Sequence, residues 1–122
     1  MIQLVEMDSV VSLANQMATT GGPVVLINKF TVTEADAPRL LAAWQNDAAH
    51  FKAQPGFIST QLHRGIGRSR VFINFAIWES TQHFKQAFTN PECQPWLGYY
   101  SPSAVASPHL FKKVAGLGIC VA

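Results

Sequence analysis

"VFINFAIWES", Val71 to Ser80, is the stretch whose reading decides the fold. β-Branched and aromatic side chains fill it, which is the composition of a strand. Successive strand residues point to opposite faces. One face is therefore Val71, Ile73, Phe75 and Ile77, and the other is Phe72, Asn74, Ala76 and Trp78. Neither face is polar, so neither is expected to meet water. Asn74 and Trp78 look out together from a segment that otherwise asks to be buried.

The elements on either side extend the pattern. "FISTQLHRG" (Phe57–Gly65) reads as a strand, and "GIGR" as the turn that joins the two into a hairpin. "VVLINKFTV" (Val24–Val32) is an earlier strand whose even face is Val24, Leu26, Asn28, Phe30 and Val32. Thr33 followed by Asp36 resembles a capping box, and Pro38 falls in a first turn. The helix that follows runs to about Ala53, with Leu40, Leu41, Trp44, Ala48 and Phe51 on its apolar face, and Gln54-Pro55-Gly56 ends it. Ser80 caps a second helix through Phe84, Ala87 and Phe88. A short helix is expected within Glu92–Tyr100, a loop between Pro102 and Pro108, and a last strand in "HLFKKVA".

The order is β-α-β-β-α-β, a ferredoxin-like α+β fold. Residues 1–22 form an N-terminal helical extension, with Val10, Leu13, Ala14 and Met17 at helical spacing. Residues 23–115 form the ferredoxin-like domain, and 116–122 a C-terminal tail. Two helices cover only one face of a four-stranded sheet. The economical cover for the other is a second copy, two sheets face to face in a homodimer.

Composition narrows the function. The chain has 122 residues, enough for one domain with a sizeable core, and 48% of them are hydrophobic. Only 13% are charged, against a usual share of about 25%, as expected where a partner subunit covers surface. Nine Lys and Arg against seven Asp and Glu, with no basic run, exclude a nucleic-acid footprint. Two cysteines without CxxC spacing point to a reducing compartment. No apolar run reaches the roughly 20 residues of a membrane span, and residues 1–11 carry Glu6 and Asp8 without a basic residue, unlike a signal peptide. A cytoplasmic location is expected.

The four histidines, His50, His63, His83 and His109, show no metal-ligand spacing, and no metal site is expected. There is no GxSxG, and GIG lacks the strand–turn–helix setting of a phosphate loop. Asn28, Asn74, Trp78 and His63 remain. Each asparagine is an amide on an apolar face; either it satisfies a backbone group, or it faces a cavity that a polar, aromatic ligand fills. Phe30, Trp44, Phe72, Phe84, Phe88 and Trp96 fall on segments that could surround such a cavity, although plain core packing also accounts for aromatic residues. His63 ends its strand across the hairpin from Phe72 and Asn74, where it is either near the cavity or half-exposed.

"INKF", "QPGFISTQLHRG", "INFAIWES" and "FKQAF" together resemble the antibiotic biosynthesis monooxygenase family, small dimeric α+β-barrel proteins, over about Val24 to Ala115. The resemblance is nearest to its cofactor-free anthrone oxygenases. It implies oxidation of an anthrone-like or quinol-like aromatic polyketide with O2 to a quinone, with no cofactor. Asn28, Asn74, Trp78 and His63 match that branch's site positions. Alternatives are another small-quinol monooxygenase, or a non-catalytic dimeric ligand-binding module. The haem-degrading branch needs a ligand histidine where this chain has Phe88, and some members carry a tyrosine where it has Phe84.

Overall fold

The structure, a computed structural model, describes residues 2–93 and 98–122. The strands are β1 (Gln3–Leu4), β2 (Val24–Thr31), β3 (Phe57–Arg64), β4 (Val71–Trp78) and β5 (Val105–Phe111). The helices are α1 (Leu13–Met17), α2 (Ala37–Lys52) and α3 (Thr81–Phe88). They build one sheet in the order β1-β5-β2-β4-β3, in which β2 to β5 carry the ferredoxin-like arrangement.

Local chemistry sets most boundaries as expected. The Ser80 hydroxyl accepts the His83 N–H at 3.1 Å and starts α3. Gly56, at φ +84°, ends the turn after α2; a Cβ there would collide with the His83 ring, so only glycine fits. The Thr33–Asp36 capping box does not form. Thr33 precedes a 3-10 turn (Glu34–Asp36) without a side-chain cap. The Asp36 carboxylate instead accepts from the Ser103 hydroxyl at 2.7 Å. That bond, with the Thr33 and Ser101 hydroxyls, holds its carboxyl below the usual range.

Two departures concern the ends of the chain. The N-terminal extension is more than a helix: β1 joins the sheet beside β5, and α1 begins only at Leu13, capped by Ser12, leaving Val10 84% exposed. Pro108 lies inside β5, opposite Asn28, and not in a loop. Its neighbours of the same parity, Ala106 and Leu110, turn their backbone groups to the outer edge, toward Val5 and Gln16, so a missing N–H at 108 removes no ladder bond to β2. Of the helix expected within Glu92–Tyr100, residues 94–97 lie outside the described residues; Cys93 closes a turn on the Asn90 carbonyl at 2.9 Å.

Two apolar clusters sit between the sheet and the helices. One gathers Phe30, Phe72, Leu40, Ala43 and Tyr100, and the other Leu26, Ala76, Trp78, Phe84 and Leu13. The row across the sheet between them is Pro108, Asn28, Asn74 and Leu62. On the reverse face Val25, Ile27, Ile73 and Ile77 are half-buried, and Phe75 and Phe111 stay 40% and 38% exposed. Among the described residues no helix is long and apolar enough to cross a membrane.

Candidate active site

Where the polar row interrupts the core, a cavity of about 250 Å³ opens between the sheet and α2. Asn28 and Asn74 are direct partners in the β2–β4 ladder, so their side chains stand next to each other on its floor. The sequence places each amide on the right face; their pairing follows only from the register. The Thr60 hydroxyl donates to Asn74 Oδ1 at 2.5 Å, which leaves the Asn74 NH2 group as the end free to donate. Asn28 Oδ1 is buried without a partner. A backbone role for these amides is therefore not what the structure shows.

Thr60 reaches the floor because of a β-bulge between Phe57 and Ser59. The extra residue, Ile58, shifts the alternation, so Phe57 and Thr60, three apart, both face the cavity. Strict alternation in the sequence conceals this.

Trp78 faces the cavity but does not stand at its mouth. It is 1% exposed, with Phe51, Phe57 and Phe84 edge-on around it at 6.2, 5.5 and 5.9 Å. Its Nε1–H has no acceptor. Leaving such a group dry costs about 1–3 kcal/mol.

The remaining expectations divide. Trp44, Phe84 and Phe88 line the cavity. Phe30 and Phe72 do not: they pair with each other one step further along β2 and β4, under α2, where Phe30 stacks on Tyr100 at 5.7 Å and Arg64 covers the Phe72 ring at 5.0 Å. Trp96 lies outside the described residues. His63 is not brought to the site. The hairpin loop runs from Gly65 to Arg70, Leu62 is the partner of Asn74, and His63 pairs with Ile73 on the reverse face, exposed. A shift of one residue in register reverses every side chain.

The group that the sequence reading missed is Asp47. It follows Trp44 by three residues in the inward stripe of α2, ahead of Ala48 and Phe51, and that lone acid among apolar positions is the signal that could have found it. Its Oδ1 is buried without a partner. Burial pushes its carboxyl up to about 6, against a hydrogen bond from the Tyr100 hydroxyl and the nearby His50, both of which lower it. Burial likewise pushes the Tyr100 phenol and the Cys93 thiol up, each reinforced by Asp47.

The match to the family model over residues 23–98, on this fold, decides the relationship. The chain belongs to the antibiotic biosynthesis monooxygenase family. It is 31% identical over 72 residues to deoxynogalonate monooxygenase of Streptomyces nogalater, an alignment covering 59% of this chain and 60% of that protein. The match thus spans less than two thirds of the relative's length. Among solved structures it is similar to a variant of SnoaB, a cofactor-independent oxygenase from Streptomyces nogalater. That likeness has 26% identity and a TM-score of 0.70, covering 80% of this chain and 99% of that one. It is also similar to a heme-degrading protein of Mycobacterium tuberculosis, at 25% identity and a TM-score of 0.57, covering 80% of this chain and all of that one, 100%.

The family's haem-degrading members raise the question of a porphyrin here. Axial ligation asks for a histidine, a methionine, a thiolate or a phenolate. No described lining residue is a histidine or methionine, and Cys93 and Tyr100 are both held toward their protonated forms. The donor set does not fit a haem. Among the described residues no group of three or more His, Cys, Asp or Glu side chains could hold a metal ion.

Proposed function

We propose that this member of the antibiotic biosynthesis monooxygenase family oxidises a compact anthrone-like or quinol-like aromatic with O2 to the quinone, without a cofactor. The observation that carries the reading is the pair of asparagine amides, laddered side by side under an apolar cavity. Such a pair is a poor core and a good oxyanion hole. In an anthrone, loss of a methylene proton leaves an enolate, whose oxygen would accept from the NH2 groups of Asn74 and Asn28. The enolate reduces O2, and carbon and oxygen combine as a peroxide. Cleavage of the O–O bond with loss of the second methylene hydrogen yields the new carbonyl and one water. The unsatisfied Trp78 Nε1–H is available to the peroxide or to a substrate oxygen. The aromatic walls supply contact for a planar ring and exclude water.

The volume of about 250 Å³ lies below the usual lower bound near 300 Å³, which favours few rings over large polycycles. The half-exposed reverse face around Phe75 and Phe111 supports a homodimer closed sheet on sheet.

The test is O2 uptake by purified, chelator-treated protein against one-, two- and three-ring quinols and anthrones. Uptake above the spontaneous rate, matched by quinone formed mole for mole, is the expected result. Uptake no faster than the spontaneous rate on every substrate ends the oxygenase reading in favour of a binding module.

A further inference from the structure

An oxyanion hole stabilises a charge that some group must first create, and neither neutral amide can take a proton at ordinary pH. His63 faces away. Cys93 and Tyr100 are held protonated. The cavity's sheet wall offers only neutral polar groups, Asn28, Asn74, Thr60 and Trp78; α3 contributes phenyl rings and β1 aliphatic side chains.

We propose that Asp47 is the general base of this site: from α2 its carboxylate lines the cavity whose floor carries the Asn28–Asn74 pair, and it takes the proton whose loss forms the oxyanion. The assignment rests on the oxygenase reading of the same cavity. A carboxylate kept only for structure would have both oxygens bonded, since an unpaired buried acceptor costs free energy. Here the Tyr100 hydroxyl lies near enough to lower the carboxyl, and Oδ1 is buried with no hydrogen-bond partner. The carboxylate thus lines the cavity with an acceptor that the protein itself does not use. No described lining residue is a lysine or arginine. The charged or titratable neighbours are His50 one turn along α2, Tyr100 and Cys93 from the segment before β5, and Glu92 beside Cys93.

The step balances. A substrate C–H or phenolic O–H breaks, its electron pair stays on the substrate as the oxyanion held by the amides, and the proton moves to the Asp47 carboxylate. Once O2 has added, Asp47 returns that proton to the peroxide; its O–O bond then breaks, the distal oxygen leaves as hydroxide and takes the carbon's second hydrogen as a proton to become water, and that C–H electron pair forms the new carbonyl. A carboxyl pushed up to about 6 is a stronger base than an ordinary aspartate and is still ionised at pH 7.

The test separates proton removal from oxygen chemistry. Without O2, exchange of an anthrone's methylene hydrogens with deuterated solvent reports the base alone. Wild-type protein is expected to accelerate the exchange, with a rate rising through about pH 6 to a plateau. Asp47→Asn should fall at least about 100-fold and lose the pH dependence. Asp47→Glu should recover part of the rate. Exchange in Asp47→Asn within about threefold of wild type overturns the assignment, even with O2 uptake intact. Catalysed exchange without O2 uptake keeps Asp47 as a base and removes the oxygenase reading. Should Asp47→Asn not fold, a flat wild-type profile between pH 5 and 7 overturns the assignment by itself.

Discussion

Two neighbouring rows of the same sheet face make an instructive pair. Phe30 and Phe72 are partners on β2 and β4, and one step away along the same strands Asn28 and Asn74 are partners too. The first row is sealed by Leu40 and Ala43 of α2, each 1% exposed. Over the second, the same helix presents Trp44, Asp47 and Ala48, and a cavity remains. The strands, the face and the covering helix are shared. What differs is whether the side chains complete one another's contacts. In the first row they do; in the second, Asn28, Asp47 and Trp78 each keep a buried polar atom unpaired. A protein gains nothing in stability from such a row.

The contrast can be broken from either side. Phe72→Ala should cost about 3–5 kcal/mol of stability through the cavity it leaves, read by urea denaturation. A variant that still folds should bind planar quinones unchanged. Asn74→Ala should do the reverse: a loss of about 10²- to 10³-fold in kcat/KM for O2 uptake, with a melting temperature near wild type. If Asn74→Ala lowers stability as Phe72→Ala does while leaving the rate alone, both rows are core.

Asp47→Asn sharpens the contrast through pH. Burial raises the carboxyl in the folded protein from 3.8 to about 6, so the folded state holds the proton more tightly than the unfolded chain. The favourable contribution is complete below pH 4 and is lost as pH rises to about 6. Replacing Asp47 by a neutral amide should therefore stabilise the protein at pH 7 to 8, by roughly 1 kcal/mol after allowance for partial solvent access, and little at pH 4. Thermal melts at the two pH values measure the difference.

The fold is legible because periodicity and punctuation agree: β-branched runs, the Gly56 and Ser80 signals, and a β4 apolar on both faces. The site is half legible. Parity puts Asn28, Asn74 and Trp78 on the covered face, but their assembly depends on register. Counting from the hairpin turn misplaces His63, since the loop runs to Arg70, and the bulge at Ile58 brings in Thr60 against strict alternation. Pro108 hides a strand because its harmlessness depends on which edge its nitrogen faces. Asp47 escapes attention because a single acid in a helix looks like surface until the helix has something to cover.

The N-terminal segment has a consequence of another kind. Gln16 takes the Leu110 N–H at 2.9 Å and gives its own amide to the Leu110 carbonyl at 2.9 Å, while β1 pairs beside Val105 and Ala106. A two-residue strand and one side chain thus occupy the rim of β5 that would otherwise recruit a strand from another molecule. Residues 3–16 cover an edge of the kind prone to aggregation, and the same end of the chain walls the cavity through Ile2 and Leu4.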